Sequence, residues 1–104
     1  VIWLKIRGRR IPIRVDDIYY FEADGNYVRI HLDNRSYLYR ETIANVEEMT
    51  PSDGFVRIHR SLLLHKLYIR KVSYAGNNRF NITLKNGTEL QSSRSYKEDV
   101  ARLK

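Results

Sequence analysis

Three hydrogen-bonding side chains in succession, His59, Arg60 and Ser61, close the segment Phe55-Val56-Arg57-Ile58-His59-Arg60-Ser61. Apolar and polar residues alternate ahead of them, so the segment reads as a β-strand that delivers a basic tip. An imidazole, a guanidinium and a hydroxyl in a row suit phosphate oxygens and base edges, which makes nucleic acid the leading ligand. The alternative is a basic strand end standing in solvent, and the heptapeptide alone leaves both open.

Other chemistries lack their residues. His31, His59 and His65 lie apart, none with a carboxylate at metal-ligand spacing such as His-Glu-x-x-His. Gly25, Gly54, Gly76 and Gly87 stand singly at turns and form no phosphate-cradling loop. Asp16-Asp17 reads as a solvated turn. His59 and Ser61 share one strand face at i and i+2, but no orienting acid lies near in sequence, so the pair is not read as a nucleophile with its base. No enzyme activity, metal or cofactor is expected.

Charge placement supports a polyanionic ligand. The net charge of +7 comes from 19 Lys and Arg against 12 Asp and Glu. Residues 1 to 14 carry Lys5, Arg7, Arg9, Arg10 and Arg14 with no acid, and residues 55 to 71 carry Arg57, Arg60, Lys66, Arg70 and Lys71 with no acid. The acids gather chiefly at Asp16, Asp17, Glu22 and Asp24 and at Glu41, Glu47 and Glu48. Such segregation implies one basic face and one acidic face.

The elements that position these residues are mostly strands. In Tyr27-Val28-Arg29-Ile30-His31-Leu32, Val28, Ile30 and Leu32 share one face and Tyr27, Arg29 and His31 the other. Similar strands are predicted at residues 2 to 7, 10 to 14, 18 to 23, 36 to 40, 55 to 59, 69 to 74, 79 to 85 and 88 to 92. Turn chemistry separates them, and Asn86-Gly87 is the strongest hairpin signal. Thr42 to Met49 spaces Ile43, Val46 and Met49 as a short amphipathic helix that Pro51 stops. Ser95-Tyr96-Lys97-Glu98 has capping-box spacing ahead of Val100 and Leu103, which predicts a terminal helix with Ser95 as its N-cap. The expected fold is mainly β, with antiparallel strands in small packed sheets, one short internal helix and a C-terminal helix.

Four stretches carry a family resemblance: Ile18 to Val28, Phe55 to Leu64, Leu84 to Leu90, and Ser93-Arg94-Ser95-Tyr96. In this order they resemble the LytTR-type DNA-binding domain of bacterial response regulators, over nearly the whole chain. The resemblance implies that loops between strands, rather than a recognition helix, meet double-stranded DNA. It implies base contacts at Asn26, Arg60 and Arg94, with phosphate contacts at Tyr27, Lys85, Ser92 and Ser93. His65 and Lys66, where the family commonly continues with a small or polar residue, add further phosphate contacts. For Asn26 a turn residue chosen for positive φ stays open, and for Tyr27 simple packing. His59 and Ser61 either shape the loop through side-chain hydrogen bonds or touch DNA.

At 104 residues the chain is expected to form one domain, residues 1 to 104, cut from a longer regulator with an upstream receiver domain. The resemblance further implies a sensor kinase acting through that receiver, pairing of two domains on direct repeats of DNA, and the transcription machinery as partner. The absence of cysteine is compatible with a reducing compartment, so a cytoplasmic protein with no membrane partner is expected. Two other readings remain: an RNA-binding β module stacking bases on Tyr19, Tyr27, Tyr37 and Tyr39, and a protein-interaction or ligand-sensing β domain.

Overall fold

Tyr20 and Phe21 are adjacent in the chain and buried in two different cores, one on each face of a central sheet. That division follows from the strand period, which sends successive side chains to opposite faces. The computed structural model describes every residue from Val1 to Lys104. In order the elements are β1 (Ile2–Ile6), β2 (Arg9–Ile13), β3 (Tyr20–Asp24), β4 (Tyr27–His31), β5 (Ser36–Tyr39), α1 (Ile43–Met49), β6 (Phe55–His59), β7 (Leu62–His65), β8 (Ile69–Gly76), β9 (Arg79–Leu84), β10 (Glu89–Gln91) and α2 (Lys97–Ala101). Short 3-10 turns occupy Val15–Asp17, Lys66–Tyr68 and Arg94–Tyr96.

The strands form a five-stranded sheet of order β5-β4-β3-β7-β6, a three-stranded sheet of order β10-β9-β8 and the β1-β2 hairpin, all antiparallel. On one face of the large sheet Phe21, Val28, Ile30 and Leu63 pack with Ile2, Leu4 and Ile13 of the hairpin and with Ile43 and Val46 of α1. On the other, Tyr20, Val56, Ile58 and Leu64 pack with Phe80, Ile82 and Leu84 of β9 and Val100 of α2. Each large apolar side chain fully withdrawn from water contributes about 1.5–3 kcal/mol, so both faces of β3 and β7 stabilise the domain.

β7 is the element with no counterpart among the predicted strands. Leu62, Leu63 and Leu64 are a continuous apolar run because β7 lies between β3 and β6 and is covered on both faces, and such a run has no period to read. The expected hairpin at Asn86-Gly87 is present, closed by Leu84 N–H donating to the Thr88 carbonyl at 2.8 Å.

Both helices occur where expected, with two differences. In α1, Ile43 and Val46 are buried, but Met49 is 52% exposed and leaves the apolar stripe after one turn. Before α2 the chain first makes the 3-10 turn Arg94–Tyr96, so Ser95 lies inside that turn and is not the N-cap. The entry is set by backbone instead: Ser93 N–H donates to the Ile58 carbonyl at 2.9 Å, and Tyr96 N–H to the Ser93 carbonyl at 3.1 Å. No helix is long and apolar enough to cross a membrane.

The start of α1 is tied twice. Thr42 Oγ1 accepts from Asn45 N–H at 3.1 Å, while Glu41 Oε1 accepts from Asn45 Nδ2 at 2.8 Å and from Thr42 N–H at 2.9 Å. Thr42→Ala is expected to lower the unfolding free energy by about 1 kcal/mol, measured by denaturant titration with an unchanged m-value. The bonds from Asn45 and then Thr42 hold the Glu41 carboxyl below the usual carboxylate range. A folded value below the unfolded one means stability that is complete above the ordinary carboxylate range and lost as pH falls through the lowered folded value. The acid limb of stability against pH is therefore expected to be shallower in Glu41→Gln, and an identical limb would remove Glu41 from that role.

Candidate nucleic-acid interface

The strand register places three loops, distant in sequence, at one end of the large sheet. Tyr20 pairs with Leu64 and Glu22 with Leu62, so β7 begins beside the last part of β3. His59 pairs with Leu62, so the β6-β7 turn at Arg60 and Ser61 lies at the same end as the β3-β4 turn at Gly25 and Asn26. Ala23 N–H donates to the Ser61 carbonyl at 2.8 Å and joins the flanks of those turns. The Ser93–Ile58 hydrogen bond brings the segment before α2 beside the end of β6, adding the third loop. Asn26, Arg60 and Arg94, one from each loop, are all exposed, and no ion pair engages either arginine.

Gly25 takes the left-handed position of its two-residue turn, with φ of 61°, the arrangement of a Gly-x type II′ hairpin. Asn26 is not among the positive-φ residues, so backbone conformation does not account for its amide. Next to it Tyr27 is 39% exposed, with the Arg40 guanidinium 5.9 Å from its ring centroid. Arg40 follows Tyr39, which pairs with Val28, so it is a further cation at this end. Sequence alone missed it because only the β4-β5 register reveals where β5 ends.

His59 and Ser61 are bonded to each other. Ser61 N–H donates to His59 Nδ1 at 3.1 Å, and Ser61 Oγ lies 2.9 Å from the same nitrogen. A backbone amide can only donate, so Nδ1 accepts and the ring proton sits on Nε2. The pair braces the turn that presents Arg60. On the neighbouring flank, Arg29 pairs with Asp24 at 3.1 Å, and further along the sheet His31 Nε2 lies 3.0 Å from Glu22 Oε1. Tyr20 stacks on His31 at 4.1 Å, and burial, with the Glu22 charge adding, raises its hydroxyl above the ordinary tyrosine range.

Four expected phosphate contacts lie elsewhere. Ser92 is 2% exposed, and its Oγ accepts from Phe80 N–H at 3.0 Å, so the hydroxyl is consumed inside the protein. His65 is buried as well, stacked on Phe55 at 4.4 Å, with Nδ1 donating to the Ile18 carbonyl at 2.9 Å. Lys66 and Lys85 are exposed but belong to the opposite end: Lys66 N–H bonds the Gly54 carbonyl and Lys85 N–H the Tyr68 carbonyl, beside the His65–Phe55 pair. Between the two ends runs β3, about 13 Å at ~3.3 Å per residue. Ser93 does reach the loop end, half-buried and held by its backbone.

Three of the four tyrosines in the base-stacking reading are withdrawn from the surface. Tyr19 is buried and stacked on Tyr68 at 3.9 Å, while Tyr37 and Tyr39 are half-buried against the first core. Of the four tyrosines in that reading only Tyr27 is exposed.

Residues 8–104 match the family model of the LytTr DNA-binding domain. The chain belongs to the LytTr DNA-binding domain family. It is 28% identical to the sensory transduction protein LytT of Bacillus subtilis (strain 168), covering 89% of this chain and 39% of that protein. It is 26% identical to the transcriptional regulatory protein LytR of Staphylococcus aureus (strain N315), covering 86% and 40%. The chain thus spans well under half the length of these curated relatives. A solved LytTr DNA-binding domain from Bacillus cereus has the same fold, with a TM-score of 0.88 at 22% identity over 98% of this chain and 94% of that one. The LytTr match takes in all three loops, and with them Asn26, Arg60 and Arg94.

Ser92→Ala separates the corrected role of Ser92 from the expected one. It strands the buried Phe80 N–H, so stability is expected to fall by about 1–3 kcal/mol in denaturant titration. The salt dependence of DNA binding is expected to stay at the unmutated value, and a shallower slope would return Ser92 to the phosphate contacts.

Proposed function

We propose that this LytTr domain binds double-stranded DNA sequence-specifically by inserting its three loops into the major groove. The observation that carries the proposal is the convergence of Asn26, Arg60 and Arg94, all exposed, on one end of the sheet. An amide at Asn26 suits the adenine N6 and N7 edge, and guanidinium groups at Arg60 and Arg94 suit guanine O6 and N7. Tyr27, Ser93 and Arg40 at the same end would meet phosphate, which fixes register without reading sequence.

Sequence-independent affinity has a second source in the β1-β2 hairpin. Ile2, Leu4 and Ile13 turn inward, so Trp3, Lys5 and Arg10 occupy the outward face, with the Arg10 guanidinium 4.9 Å from the Trp3 ring centroid. None of Lys5, Arg7, Arg9, Arg10 and Arg14 is in an ion pair, so each is free to displace a counterion from a phosphate. Within a whole regulator the domain would serve as the output module of a two-component system in the cytoplasm. A receiver domain answering a sensor kinase would control it, two copies would pair on direct repeats, and the bound pair would act on the transcription machinery.

Selection of bound sequences from random duplex DNA at low and near-physiological salt tests this directly. A short motif in two same-direction copies is the expected result, and recovery of no motif at either salt would overturn sequence-specific reading. On the selected site Arg60→Ala or Arg94→Ala is expected to lose roughly 1–3 kcal/mol and to relax preference at one base pair. Arg10→Ala is expected to weaken all sequences alike and to lower the salt slope by about one unit. Lys85→Ala, at the far end, is expected to leave both quantities unchanged.

A further inference from the structure

Arg57 is the cation of β6, and its side chain is turned into the protein. Its side chain is 14% exposed, and its guanidinium donors are directed into the protein. Nε donates to the His59 carbonyl at 2.8 Å, Nη2 donates to the Arg60 carbonyl, and Nη1 meets Glu47 Oε1 of α1 at 2.8 Å. The same guanidinium lies 5.9 Å from the ring centroid of Tyr96, in the 3-10 turn that follows Arg94. One planar group therefore hydrogen-bonds the loop of Arg60 and helix α1 and lies within cation–π range of the turn that contains Arg94.

The backbone explains why such a clasp is needed. The β6-β7 register shifts between Arg57 and His59, so the ladder is irregular immediately before the Arg60 turn. Such a bulge re-aims the side chains beyond it and leaves backbone groups outside the ladder. Arg57 takes up two carbonyls there, those of His59 and Arg60, while the Ile58 carbonyl accepts from Ser93. Only a guanidinium can donate to two carbonyls and a carboxylate at once in one plane, since an ammonium lacks the fixed fork.

We propose that Arg57, anchored by Glu47, is a positioning residue that sets the Arg60 and Arg94 loops relative to each other before DNA arrives. The proposal rests on the sequence-reading function proposed above. Preorganised loops spare the ordering otherwise required on binding, and they let a mismatch be felt as a misplaced contact rather than absorbed by loop movement.

The test uses Arg57→Lys and Glu47→Gln, the second altering a half-exposed side chain that leaves the cores untouched. Two readouts are taken: the affinity ratio between the selected site and a single mismatch opposite Arg60, at two salt concentrations, and amide hydrogen exchange at Ser61 and Tyr96 in the free protein. Both variants are expected to fold, to lower the ratio roughly fivefold, the scale of one ordinary net hydrogen bond, and to speed exchange at both amides. The salt slope is expected to hold in Arg57→Lys, which keeps its charge.

Unchanged ratio and exchange in either variant would overturn the positioning role. Tighter binding of every sequence by Glu47→Gln, with the ratio unchanged, would overturn it in favour of direct phosphate contact by a released Arg57. A wild-type domain with no preferred site would defeat the sequence-reading function itself, and the positioning role with it. That outcome is recognised from the wild-type protein alone, whereas a preferred site with discrimination and amide exchange both unchanged in either variant defeats only the positioning role.

Discussion

The pairing of β3 with β7 is the constraint on which the rest depends. These strands are separated by a long stretch of chain, and both are buried on both faces, so their register is held by two cores at once. A slip of one residue would exchange Phe21 with Tyr20 between those cores and turn Glu22 into apolar surroundings. The same register fixes where β3 and β6 end, and so brings the Asn26 and Arg60 turns side by side. Long-range pairing of buried strands, rather than any local loop preference, builds the end of the sheet where the three loops converge.

Much of this could be read from residue order, and the remainder could not for identifiable reasons. Val28 and Ile30 alternate with polar neighbours because only one face of β4 is in the core, and that strand was legible. Leu62 to Leu64 carried no such signal, since both faces of β7 are covered. Asn26, Arg60 and Arg94 were singled out by family resemblance, and their common end emerges only with the register. The same resemblance implied phosphate contacts at Lys85 and Ser92. Yet a hairpin reverses the chain, so Lys85 falls at the opposite end and Ser92 falls inside. Ser95 had the spacing of a cap, but a backbone bond from Ser93 to β6 fixed the helix entry elsewhere.

Charge is organised differently in the two basic segments recognised at the outset. In the hairpin the cations stand free of ion pairs and cover an outward face with Trp3. In β6 Arg57 is folded inward against Glu47, and Arg60 in the following turn is exposed beyond the bulge. Two arginines three residues apart therefore sit in opposite settings, one turned inward in hydrogen bonds and one exposed in a turn. Composition alone cannot tell them apart.

The exposure of Asn26, Arg60 and Arg94 has a consequence for divergence. Asn26, Arg60 and Arg94 stand at loop positions outside both cores, and exchanges at exposed sites of this kind generally shift stability by only about 0.5 kcal/mol. The supporting groups are enclosed, as with Ser92 against Phe80 N–H, or bound in place, as with His59 and Ser61. On the proposed reading, exchanges at these three positions would alter the target one side chain at a time while the fold stays intact, so that recognition and folding would vary on separate schedules.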